Sequence, residues 1–125
     1  MKKMIFICAG SLLLLSNSIF AENHTSAALE HANAAAVNGE AGQTPTLLEH
    51  TKAALKHTLA ASKEAKSVPK THLDAAAKEL QEAKDLANLG HVGSATTHAE
   101  AAVKHIETGN KYNKYIDSVA SSPKH

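Results

Sequence analysis

Nine of the 125 residues are histidine, and most of them recur at a spacing of seven: His24 and His31, His50 and His57, then His91, His98 and His105. His72 has Glu79 at the same spacing. Neutral imidazole is a ligand of borderline softness that suits Cu, Ni and Zn, and its unperturbed titration lies near pH 6.5. Residues seven apart on one helix are separated by roughly 10.5 Å of rise, whereas a bound ion sits about 2.0–2.1 Å from each imidazole nitrogen. Two histidines of one helix therefore do not readily share an ion. The usual chelating position, four residues on, holds Ala54 after His50 and Ala102 after His98. Each ion would draw its ligands from neighbouring helices, or rest on one histidine with water and a nearby carboxylate, for which Glu49, Asp74, Glu79, Glu100 and Glu107 are the candidates. This pattern favours several modest, exchangeable sites over one closed structural site. His125 stands alone near a proline and is read as a solvated tail residue.

The elements that carry these side chains are helical. Apolar residues recur at helical spacing, as in Leu73, Ala76, Ala77, Leu80, Ala83 and Ala87, and no segment alternates with the two-residue period of a strand. Breakers divide the chain into helices over 26–38, 46–66, 71–89 and 93–108, with Gly39, Gly90 and Gly109 as stops. Thr46–Glu49 and Thr71–Asp74 read as capping boxes. Helices joined by short turns fold most simply as an all-α, antiparallel up-down four-helix bundle. Alanine is the commonest residue and has the best helix propensity. Its small side chain buries little area, so the bundle is expected to be folded but weakly stabilised. With Leu29, Leu48, Leu89 and Val103 taken as the apolar stripe, each following histidine falls two residues later, on the half-exposed shoulder of the bundle.

Lys2 and Lys3 precede an apolar run from Met4 to Leu15, and the stretch ends on the small residue Ala21. This reads as a secretory signal peptide over residues 1–21, too short for a stable membrane span, with export to the periplasm. The domain that follows, 22–109, carries eight of the nine histidines, and 110–125 is read as a C-terminal tail. Cys8, both methionines and both phenylalanines fall within the leader. The remainder therefore offers no thiolate or thioether ligand, no disulfide, no haem attachment motif and no cysteine nucleophile. Thirteen lysines nearly balance twelve acidic side chains, so no basic surplus points to nucleic acid or to stable membrane association after leader removal.

The segments Leu-Leu-Glu-His-x-Lys-x-x-Leu-x-His (47–57) and Gly-His-Val-Gly-x-Ala-x-x-His-Ala-x-x-Ala-x-x-His (90–105) resemble the periplasmic small metal-binding proteins, short histidine-rich helical repeats with a leader. The resemblance spans most of 24–109 and implies reversible binding of several divalent ions, copper prominent among them, without catalysis. The sequence departs from the pattern at Asn38, at Glu79 and beyond Gly109. The expected ligands are His24, His31, His50, His57, His72, His91, His98 and His105, taking Cu(II) first and also Ni(II) and Zn(II), with no organic cofactor. The rival reading is a non-enzymatic helical scaffold or stress-response assembly module whose histidines only solvate its surface.

Overall fold

A computed structural model describes residues 20–121, with side chains over 24–121. Residues 1–19 of the expected leader and the tail residue His125 lie outside the described residues. Four helices follow one another: α1 (Phe20–Glu40), α2 (Thr44–Glu64), α3 (Ser67–Asn88) and α4 (Val92–Ala120). Consecutive helices pack side by side and α1 closes the ring against α4, while α2 and α4 barely touch across the diagonal. The result is an antiparallel four-helix bundle. No helix of the described residues is long and apolar enough to cross a membrane.

The bundle is one helical hairpin used twice, with an offset of 48 residues. Gly42 and Gly90 both take positive φ, 75° and 83°, a conformation that favours glycine. Around them the same hydrogen bonds recur. The Gln43 amide donates to the Asn38 carbonyl at 2.8 Å, and the His91 amide to the Leu86 carbonyl at 2.9 Å. The Gly42 and Gly90 amides reach the Gly39 and Ala87 carbonyls at 2.9 and 3.0 Å. Gln43 and His91 then cap α2 and α4 with nearly identical backbone angles, φ −90° and ψ 76° against φ −89° and ψ 70°. A different turn joins the two hairpins, in which Ser67 adopts φ 58°.

The core seam consists mostly of small side chains. Ala28, Ala32, Ala54, Ala76 and Ala102 meet Leu80 and Ile106 in one cluster, and Ala35, Ala36, Leu47, Ala87, Ala95 and Ala99 form the other. The close helix approach shows at Gly39, where a Cβ would fall on Thr96 Oγ1 and lie 2.5 Å from Leu47 Cδ1. This packing shifts the expected stripe. The large residues Leu29, Leu48 and Val103 are only partly buried and flank the seam, and Leu89 is exposed. Alanine packing lets backbones approach, so these bulkier side chains sit at its edges while Leu47, Leu73, Leu80 and Ile106 stay buried. Each of His24, His31, His50, His57, His72, His98 and His105 immediately precedes a buried residue, which corresponds to position g of the heptad rather than the position two after the stripe.

Helix ends also differ from expectation. α1 runs past Gly39, which is buried in packing, and stops before Gly42. Neither expected capping box forms: α2 starts at Thr44 behind Gln43 with Pro45 in its first turn, and α3 starts at Ser67. Thr71 Oγ1 donates back to the Ser67 carbonyl at 3.3 Å, and Asp74 accepts from Ser62 and pairs with Lys70 at 3.0 Å. α4 passes through Gly109, which packs against Pro69 and Leu73, so the residues expected as tail are helical to Ala120.

Thr58 and Thr96 satisfy their buried hydroxyls by donating to the carbonyl four residues back, at 2.7 Å each. Thr51 Oγ1, fully buried, has no hydrogen-bond partner among the described residues. An unsatisfied buried polar group costs about 1–3 kcal/mol. Thr51→Val is therefore expected to raise stability by about 1 kcal/mol, read as a higher denaturant midpoint with unchanged slope; a lower midpoint would contradict this view of the core.

Candidate metal sites

Heptad spacing on antiparallel helices converts a repeat along the chain into pairs across it. Seven residues up α1 correspond to seven down α2, so His24 faces His57 and His31 faces His50. In both pairs the Nδ1 atoms are 3.1 Å apart, with the rings tilted at 36° and 32°. His31 also stacks on His57, with centroids 5.8 Å apart and planes within 2°, which links the two pairs into a row of four imidazoles. The second hairpin repeats the arrangement. His72 faces His105 with Nδ1 atoms 3.4 Å apart, and Glu79 Oε2 faces His98 Nδ1 at 2.7 Å.

These separations match a chelate bite. Two nitrogens each about 2.0–2.1 Å from one ion, subtending between ~90° and ~109° there, lie about 2.9–3.4 Å apart. Three histidine pairs thus already hold their Nδ1 atoms at the distance a shared ion demands. In a metal-free neutral pair, one Nδ1–H donates to the other Nδ1. Among the described residues, no three or more His, Cys, Asp or Glu side chains are grouped to hold one ion, so each pair contributes two protein ligands.

Of the eight expected ligands, the fold pairs six with one another and sets His98 against Glu79. His91 is the exception, exposed at the N-cap of α4, where the first hairpin has Gln43. Of the candidate carboxylates, Glu79 reaches an imidazole and Asp74 is engaged by Ser62 and Lys70. Glu49, Glu100 and Glu107 lie exposed. The tail reading of 110–125 misses Tyr112, whose ring stacks on His72 with centroids 6.0 Å apart and planes at 11°. The available signal was its spacing, since Tyr112 continues the series His98, His105 by a further seven residues.

The surroundings of His57 also alter its proton affinity. Burial lowers the His57 pKa from its usual 6.5, and the neighbouring His24, His31 and Lys56 lower it further by repulsion. Protonating both members of a pair would place two cations Nδ1 to Nδ1, which metal binding, requiring neutral imidazole, avoids.

A family model described as small metal-binding protein matches residues 1–109. Comparison with curated proteins gives no match.

Because the folded-state pKa of His57 lies below the unfolded value, its contribution to stability is complete above pH 6.5 and is lost as the pH falls through and below that value. Metal-free protein should therefore lose stability on mild acidification, and His57→Gln should flatten that dependence. Denaturant midpoints measured between pH 7.5 and 5 check this, and an unchanged slope in the variant would contradict it.

Proposed function

The chain belongs to the small metal-binding protein family, and we propose that it is a periplasmic buffer for divalent transition metals, Cu(II) first and Ni(II) and Zn(II) with it. The observation that carries this reading is the set of three cross-helix histidine pairs, 24/57, 31/50 and 72/105, with Nδ1 separations of 3.1, 3.1 and 3.4 Å. Imidazole ligation without sulfur suits these borderline ions and disfavours Cu(I). Two protein ligands per ion leave the remaining positions to water, so the ions exchange. That suits uptake and release, not a permanent structural site. Acidification through about pH 6.5 competes protons against metal and releases it.

Export rests on the basic start, the apolar run and the small residue Ala21. Binding is the whole activity in this reading, and the metal is cargo. Histidines serving only to solvate a scaffold would have no reason to turn their Nδ1 atoms toward one another in three pairs.

Pairing makes a sharp claim about stoichiometry. His24→Ala, His57→Ala and the double variant should each lose the same single Cu(II), because either change destroys the same site. His24→Ala with His50→Ala should lose two. Calorimetric titration with native mass spectrometry of the loaded species reads these numbers. Losses that simply follow the number of histidines removed would contradict cross-helix pairing.

A further inference from the structure

Placing the two hairpins in the 48-residue register shows where they differ chemically. His24 corresponds to His72, His50 to His98 and His57 to His105, so three of the four paired positions retain histidine. The fourth pairs His31 with His50 in the first hairpin and Glu79 with His98 in the second. The turns that fix the register are the same in both hairpins, so Glu79 stands where an imidazole stands in the other half. Its Oε2 lies 2.7 Å from His98 Nδ1, and both side chains are about one-third exposed, at 30% and 36%. Carboxylate oxygen binds such ions at about 2.0–2.2 Å, so the separation is within a few tenths of an ångström of a right-angled chelate bite.

Resting on the metal-binding reading above, we infer that Glu79 and His98 form a fourth metal site of a different class, a carboxylate–imidazole site whose preference is shifted toward harder divalent ions. A carboxylate brings a negative charge and a hard oxygen, ligands that suit Mn(II), whereas a neutral imidazole pair supplies only borderline nitrogen. Cu(II) still binds most mixed sites well, because affinity rises along the series from Mn(II) to Cu(II). The difference therefore lies in relative selectivity. One protein then holds three sites tuned to copper-like ions and one that accepts ions the others hold weakly.

The test is a swap read by nuclear magnetic resonance on the isotopically labelled, folded chain, with Mn(II) and Cu(II) added separately as paramagnetic probes. In the wild-type protein, Mn(II) should broaden the amide signals around residues 79 and 98 several times more than those around 31 and 50. Glu79→Gln should abolish that broadening. In Glu79→His combined with His31→Glu, the Mn(II) broadening should move to residues 31 and 50. Broadening spread evenly over the exposed carboxylates, surviving in Glu79→Gln, or failing to follow the carboxylate in the swap, would overturn the inference. The Cu(II) arm is separate: broadening at 24/57, 31/50 and 72/105 reports the buffer reading, and its absence there would defeat that reading whatever Mn(II) shows. Retained spectral dispersion in each variant verifies that the bundle still folds.

Discussion

Everything chemical in this protein depends on the register between the two helices of each hairpin. Histidines seven apart on one helix are too distant to act together, so the repeat has no chelating power until an antiparallel neighbour supplies the second nitrogen. A slip of one residue would move each side chain along its helix by about 1.5 Å and rotate it by roughly 100°, which separates every pair at once. The turns at Gly42 and Gly90 prevent that slip, each with positive φ and the same pair of backbone hydrogen bonds. A glycine in a three-residue connection thus determines the geometry of sites two and four helical turns away.

The alanine seam serves the same end. Small core residues allow helices to approach until imidazoles at the flanking positions meet, as the contact at Gly39 shows most directly. Larger core side chains would add stability and separate the paired nitrogens. Each buried alanine contributes little, since stabilisation follows the apolar area removed from water, and Thr25, Thr51, Thr58 and Thr96 occupy further core positions. In the proposed function, ions that bind only the folded state offset part of this. A single site at a hundredfold excess of metal over its dissociation constant adds about 2.7 kcal/mol. In that reading, metal content and fold stability are linked through the same imidazoles.

Helix number, order and antiparallel packing are legible in the sequence because alanine runs, turn glycines and prolines mark them strongly. The seven-residue repeat likewise shows that ligands must come from different helices. The helix edges are not legible. Gly39 and Gly109 resemble stops, but tertiary contact holds them inside helices, and Thr46 and Thr71 resemble caps although the backbone enters each helix earlier. The stripe is misplaced for a related reason: hydrophobic periodicity gives weight to Leu29, Leu48 and Val103, while the seam belongs to the alanines beside them. The distinct status of Glu79 requires knowing which residue of α4 it faces, and that follows only once both hairpins are laid in register.

In the proposed function, one ion takes one imidazole from each helix of a hairpin. Pulsed electron paramagnetic resonance of the Cu(II)-loaded protein counts coordinated imidazoles through the remote nitrogen of each ring. With a single equivalent of Cu(II) at neutral pH, the expected spectrum is dominated by two coordinated imidazoles per ion. A spectrum of single-imidazole coordination, or of four imidazoles on one ion, would contradict it.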